Sequence, residues 1–177
     1  NISSAYDMAL LMRYAMQDET FARITSSKYY DMGTERWQNK NKLLFSYDKT
    51  TGGKTGYTKH AGRTLITTAS ADNLDSIVVT LGFSNDFAFH REKHEAQFQK
   101  YHSYMLLKKG TYHLQGYTFT IPKTLSIVLS NEEEHDLRVH TQLREDTLII
   151  TVEKDGQKQT YEYQGVKDKK ERSGWFS

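Results

Sequence analysis

Thr51-Gly52-Gly53-Lys54-Thr55-Gly56-Tyr57-Thr58 is the stretch that decides the fold. Its second half, Lys54 to Thr58, reads as a strand. A turn over Lys59 to Gly62 joins it to a longer strand, Arg63 to Ala71, rich in Leu, Ile and Thr. Asp72-Asn73 then turns the chain into Asp75 to Phe83, which holds Ile77, Val78, Val79 and Leu81. Turn residues between runs of β-branched residues predict an antiparallel hairpin. A long helix is expected next, from about Phe89 to Leu107, with Phe98, Tyr101 and Met105 on its buried face and Gly110 as its C-cap.

Upstream, Ser4-Ala5-Tyr6-Asp7 has capping-box form. Met8, Leu11, Met12 and Ala15 follow at i, i+3, i+4 and i+7, the apolar stripe of a helix packed on a core. Residues 37 to 53 read as polar loop around an apolar patch, Leu43, Leu44 and Phe45. Downstream of Gly110 the pattern changes to short alternating segments. Tyr117-Thr118-Phe119-Thr120-Ile121 and Leu148-Ile149-Ile150-Thr151-Val152 are examples, and Asp155-Gly156 is a hairpin turn signal. The expected organisation is an α/β (α+β) half-domain with an antiparallel sheet at 1–110, then a small all-β domain at 111–172. Residues 173–177, with Trp175-Phe176, are a candidate start of an amphipathic anchor or an ordinary packed terminus.

Composition excludes several classes. The 177 residues carry 24 basic and 22 acidic side chains, a net charge of +2, which argues against nucleic-acid binding. Absence of cysteine removes disulfides, thiolate zinc sites and a cysteine nucleophile. No apolar run approaches the roughly 18–20 residues that span a membrane. The opening Asn-Ile-Ser-Ser has no initiator Met, basic segment or apolar segment. It is not a precursor start, and residues are expected to be missing on its N-terminal side.

Lys-Thr-Gly is one of three motifs of the active-site serine penicillin-recognising enzymes. A tripeptide alone arises by chance in roughly one chain of this length in 25, so its neighbours matter. Ser3-Ser4-Ala5-Tyr6-Asp7-Met8-Ala9 resembles the Ser-Thr-Ala-Tyr-Asp-hydrophobic-Ala stretch of low-molecular-mass D-alanyl-D-alanine carboxypeptidases. Asn39-Lys40-Asn41-Lys42-Leu43-Leu44 resembles their Asn-x-Asn-x-Leu-Leu. Gly53-Lys54-Thr55-Gly56-Tyr57-Thr58 and Ala61-Gly62-Arg63 continue the match in family order. A sporulation-type, Bacillus-like member is the subgroup it looks most similar to. The β half is similar to the family's second domain in position and strand content only.

The resemblance implies roles. Lys54 would set a positive charge beside substrate and a hydroxyl network. Thr55 would donate its hydroxyl to the substrate's terminal carboxylate. Gly56 would keep the strand bare where substrate lies alongside. The backbone N–H of Tyr57 would form half of an oxyanion hole, a contact worth roughly 3–4 kcal/mol in the transition state. Arg91, at the start of the long helix, is a candidate partner for the same carboxylate through a bidentate guanidinium, with solvent exposure the plain alternative; His90 is its neighbour in that register. No metal or organic cofactor is implied. The implied partners are peptidoglycan pentapeptide and β-lactams, acting outside the cytoplasmic membrane.

The family's Ser-x-x-Lys and Ser-x-Asn motifs belong upstream of residue 1, and no Ser-x-Asn occurs here. Ser46-Tyr47-Asp48-Lys49 matches the first pattern but sits in an expected loop, whereas a nucleophile must start a helix so that its lysine returns one turn later. It reads as a decoy, and this polypeptide alone is expected to be inactive. Gly53-Lys54-Thr55 also resembles the end of a phosphate-binding loop, but the required earlier glycine falls at Asp48. His90 and His94 have the i, i+4 spacing of zinc ligands without a third ligand, and are expected on the surface. Glu132-Glu133-Glu134 reads as a solvated turn. Two alternatives remain: a β-lactamase-like hydrolase, and a non-catalytic cell-wall binding or scaffolding module.

Overall fold

The computed structural model describes residues 2–132 and 136–168. Trp175-Phe176 and most of the acidic run lie outside the described residues. The chain divides into two compact units, one ending at His102 and one beginning at Ser103.

The first unit is built on three antiparallel strands in the order β3 (Thr50–Thr58), β4 (Gly62–Ala71), β5 (Leu74–Leu81). The β4–β5 turn is tight because Asp72 and Asn73 both adopt positive φ, 50° and 62°, the conformation short hairpins require and Asp and Asn tolerate. β3 pairs only with β4 among the described residues, so its other edge is unpaired.

Among the described residues, four helices flank the sheet. α1 (Ala5–Ala15) packs against β5. Its N-terminus is capped as expected: Ser4 Oγ accepts from the Asp7 N–H at 3.1 Å and donates to its carboxylate at 2.7 Å. The expected core stripe is narrower, however. Met12 is buried and Met8 and Ala15 are half-buried, but Leu11 is 58% exposed, because only one edge of the helix meets the sheet. α2 (Glu19–Ser26), capped by Asp18, packs against β3; no apolar periodicity announced it.

Residues 37–53 are not one loop. Strand β1 (Tyr29–Asp31) pairs with β2 (Arg36–Gln38), and Leu43–Ser46 form the short helix α3. Leu43 and Leu44 are buried, and Leu43, Tyr47 and Ala69 form a cluster against which Phe87 and Phe98 pack.

α4 (Asp86–Lys100) lies on β4 and β5. It starts earlier than Phe89 and ends before Tyr101. Residues Tyr101–Leu107 form strand β6 instead, and Met105 is exposed. Phe98, Tyr101 and Met105 suit a helical spacing, but Tyr101, Ser103, Met105 and Leu107 suit an alternating one equally, and so short an apolar pattern does not discriminate. Gly110 accordingly begins a strand and does not cap a helix.

The two histidines of α4 are not on the surface. His90 and His94 are both fully buried. Thr67 Oγ1 bridges them, 2.7 Å from His90 Nδ1 and 2.8 Å from His94 Nε2. Thr80 lies 3.0 Å from His90 Nε2 and Ser76 lies 2.7 Å from His94 Nδ1. The surface expectation failed because hydroxyls on β4 and β5 satisfy every ring nitrogen, which removes the usual cost of burying them. Ser76 also donates to Gln97 Oε1, which can only accept. Each later proton then has one place to go. His94 Nδ1–H donates to Ser76, Thr67 donates to His94 Nε2, His90 Nδ1–H donates to Thr67, and Thr80 donates to His90 Nε2. Both rings are therefore neutral and protonated at Nδ1.

Among its described residues the second unit is built of β-strands. A five-stranded antiparallel sheet runs β10 (Arg138–Arg144), β11 (Thr147–Lys154), β12 (Gln157–Lys167), β8 (Tyr117–Ile121), β7 (Gly110–Leu114). β6 pairs with β9 (Leu125–Ser130). Alternate residues Leu148, Ile150 and Val152 of β11 face inward with Phe119, Ile121 and Leu129, each such side chain contributing about 1.5–3 kcal/mol by burial. The Asp155-Gly156 turn has positive φ at both residues, 49° and 72°.

Burial pushes His90 and His94 down to about 4, against a smaller opposing effect of Asp86 on His90. Folding thus releases protons that the unfolded chain holds below about pH 6.5. Stability from this source is complete above that pH and falls as pH drops through 6.5 towards 4, by several kcal/mol on the order of the two shifts combined. Urea unfolding of the first unit across this range should show the slope, and His90→Gln with His94→Gln should flatten it. Nitrogen-15 NMR at neutral pH should find both rings protonated at Nδ1.

Candidate active site

The Asn-x-Asn-x-Leu-Leu stretch and the start of β3 form one clamp. Asn41 is fully buried, and its Nδ2 donates to the Gly52 carbonyl at 3.1 Å while its Oδ1 accepts from the Leu43 N–H at 3.2 Å. Asn39 Oδ1 accepts from the Asn41 N–H at 2.9 Å, and its Nδ2 donates to the Ser27 carbonyl at 3.0 Å. Both asparagines are consumed in holding backbone. Lys40, between them, and Lys42, just after, are exposed.

Gly53 is the tightest point of the clamp. Its φ is 145°, and a Cβ there would collide with the Ile66 carbonyl oxygen and approach the Asn41 amide at 3.1 Å. At Gly52 a Cβ would meet Thr25 Oγ1 at 2.7 Å. A Cβ on Gly56 would run into Thr64 Oγ1, a side-chain atom, so crowding from β4 demands a small residue here as well.

Beyond the clamp the unpaired edge of β3 borders a cavity of about 610 Å³. Lys54, Thr55, Gly56 and Tyr57 line it together with Lys40, Lys42, Arg63, Thr64, Asp86 and Phe87. The structure thus brings four of the five expected site residues to one cleft. Lys54 Nζ donates to the Thr55 carbonyl at 2.5 Å. Arg91 does not line this cleft. It lines a separate depression with Leu43, Ser46 and Glu95, and its guanidinium lies 5.8 Å from the centre of the Tyr47 ring. The residues that α4 presents to the cleft are Asp86 and Phe87, in its first turn, about one helical turn before Arg91.

Arg63 is the arginine at the cleft. Its Nε and Nη2 reach both oxygens of Asp86 at 2.8–3.0 Å. Asp86 is almost fully buried, and it also accepts from the Phe87 N–H at 2.9 Å. The ion pair fastens the first turn of α4 to the start of β4 and raises the already basic Arg63 further. Asp86 and Phe87 carried no motif; only packing reveals them.

Ser46 ends α3 instead of lying in a loop, and its hydroxyl donates to the Lys42 carbonyl at 3.1 Å. Lys49 is held by Glu95 at 3.0 Å, which keeps the Glu95 carboxyl below its ordinary range. A nucleophile needs the opposite arrangement, a serine that starts a helix with its lysine free to take the proton.

Residues 1–85 match the family model described as D-alanyl-D-alanine carboxypeptidase. Over these residues, just under half of the chain, it is similar to that family. D-alanyl-D-alanine carboxypeptidase DacB2 of Mycobacterium tuberculosis is 36% identical over 72 residues, 38% of this chain and 25% of that protein. D-alanyl-D-alanine carboxypeptidase DacF of Bacillus subtilis is 34% identical over 87 residues, 46% of this chain and 22% of that protein. The chain therefore spans about a quarter of the carboxypeptidases it matches. Among solved structures, PBP3 of Streptococcus pneumoniae, a peptidoglycan synthesis regulatory factor, has a TM-score of 0.68 at 15% identity, covering 94% of this chain and 56% of that one. Penicillin binding protein 6B of Escherichia coli has a TM-score of 0.60 at 24% identity, covering 90% and 49%. Both likenesses are of fold, a mixed α+β arrangement with antiparallel sheets.

The clamp predicts an ordering of substitutions. Gly53→Ala should lower the unfolding free energy by roughly 3 kcal/mol or more, because backbone blocks the new methyl and φ is strained. Gly56→Ala should cost only about 1 kcal/mol, since Thr64 can rotate. Denaturant titrations of the two variants check the order.

Proposed function

We propose that this chain forms one wall of the active site of a serine D-alanyl-D-alanine carboxypeptidase, which removes the terminal D-Ala of peptidoglycan stem peptides outside the cytoplasmic membrane. One observation carries this: the unpaired edge of β3 presents Lys54, Thr55, Gly56 and Tyr57 to a single cavity. In this function a serine from polypeptide beyond this sequence attacks the carbonyl of the penultimate D-Ala. The peptide bond breaks, the terminal D-Ala leaves, and water hydrolyses the resulting ester. Thr55 donates its hydroxyl to the terminal carboxylate, and Lys54 supplies positive charge beside it. The Tyr57 N–H donates to the carbonyl oxygen as it gains charge, worth roughly 3–4 kcal/mol. β-Lactams would acylate the same serine. The match of residues 1–85 to the family model supports this, as does the family order of the motifs, but residues 1–177 supply the anchor and not the nucleophile.

A parent protein containing the upstream serine motifs should label covalently with a fluorescent penicillin, and the 177-residue chain should not. Thr55→Ala in the parent should slow acylation by about 10–100-fold, the range of a lost charge-assisted hydrogen bond. A parent that fails to label would defeat the proposal, and labelling of the short chain at Ser46 would show the nucleophile to be misplaced.

A further inference from the structure

Resting on that function, we propose that the β1–β2 hairpin is a glycan-binding platform, where the rings of Tyr30 and Trp37 stack on N-acylated sugars of a peptidoglycan strand beside the cleft. Tyr30 pairs directly with Trp37 across the ladder, so the pleat puts both rings on one face, with Met32 two residues further on. That face is open: Tyr30 is 66% and Trp37 58% exposed, and Met32 is exposed as well. A lone exposed aromatic means little, but three large apolar side chains together on one short hairpin mark a contact surface.

The open face is held from behind. On the opposite face Tyr29 meets Phe45 edge-on at 5.6 Å, Arg36 lies 4.0 Å from the centre of the Tyr29 ring, and Arg36 pairs with Asp31 at 3.4 Å. The Asn39 N–H donates to the Lys28 carbonyl at 2.9 Å and closes the base of the hairpin. Trp37 Nε1–H donates to Glu35 Oε2 at 3.1 Å, which orients the indole by its edge without covering its face. Rings oriented in advance lose little further freedom on binding. A pyranose is their complement, with C–H groups on its face for the rings and hydroxyl and amide groups at its rim for the carboxylate.

Charge separates this occupant from two others. Lys28, Asp31, Glu35 and Arg36 leave residues 28 to 38 without net charge. That suits a neutral glycan, whereas an anionic lipid surface selects basic residues. Glu35 beside Trp37 would be stripped of water at the centre of a protein interface, where charged residues are scarce. Position supplies the rest. Trp37 is three residues from Lys40, which lines the cleft, so their Cα atoms are at most about 11 Å apart. Asn41 fixes this segment at Gly52, the start of β3. A stem peptide with its carboxylate at Thr55 and its scissile carbonyl at Tyr57 runs away from that end. The strand gripped is therefore a neighbour of the one whose peptide is cut.

The test uses the parent enzyme and a neutral probe, the β-1,4-linked hexamer of N-acetylglucosamine. Titration should move the Trp37 indole resonance in nitrogen-15 NMR. Tyr30→Ser with Trp37→Ser should weaken hexamer binding about tenfold, and Tyr30→Phe with Trp37→Phe, which keeps a ring at each position, should retain most of it. The Ser pair should also lose about tenfold in kcat/KM on pentapeptide-bearing glycan strands, while keeping the parent's rate on free pentapeptide and its penicillin labelling. A hexamer that binds the Ser pair as tightly as the parent overturns the inference, and so does an equal loss on glycan strands and free pentapeptide. A parent that ignores the hexamer overturns it too, whether its own chain covers the face or phosphatidylglycerol vesicles bind there instead. Each of these results leaves penicillin labelling, and the carboxypeptidase assignment, standing. A parent that does not label with penicillin defeats that assignment, and this inference with it.

Discussion

The approach of β3 to β4 at Gly53 is the constraint on which the rest of the first unit depends. No side chain fits there, because the Ile66 carbonyl and the Thr67 backbone occupy the space. Asn41 completes the enclosure by holding the neighbouring Gly52 carbonyl. A strand pinned so closely at its start has little freedom over the next residues, and those are Lys54, Thr55, Gly56 and Tyr57. Placement of the site edge is thus decided by backbone packing just before the motif and not by the motif itself.

A second constraint lies behind the sheet. Thr67 pairs with Gly53 across the ladder, and its hydroxyl joins the two buried histidines of α4. The polar chain from Thr80 to Gln97 is satisfied throughout, so it specifies how α4 sits on β4 and β5 without an unpaired buried group. At the other end of the interface, Arg63 and Asp86 fasten the first turn of the helix. Asp86 is nearly buried while Arg63 is about half exposed, so the arginine compensates the aspartate from the solvent side. The wall of the cleft and the packing of α4 are consequently one structure.

Much of this was legible beforehand. Alternating β-branched residues and the Asp72-Asn73 turn announced β4 and β5, and Leu148 to Val152 announced β11. These signals are local, since strand pleating and positive-φ turns depend on neighbours in sequence. The cap at Ser4 was legible for the same reason. Other features were not. Tyr101 to Leu107 matched helix and strand equally, and tertiary pairing with β9 chose the strand. His90 and His94 read as surface residues because the hydroxyls that satisfy them come from strands ten or more positions away. The one-sided burial of α1 depends on where the sheet ends, which no periodicity contains.

By itself the sequence determined the strand, turn and cap chemistry, the order of the family's landmarks, and the presence of Lys54, Thr55, Gly56 and Tyr57 on one short run. Tertiary structure alone decided which cations share their cleft. It set Arg91 over Tyr47, bound Arg63 to Asp86, and brought Phe87, Lys40 and Lys42 to the edge of β3. The reason is physical. Strand and turn preferences act between adjacent residues, whereas a cleft is defined by side chains whose spacing in sequence says nothing of their distance in space.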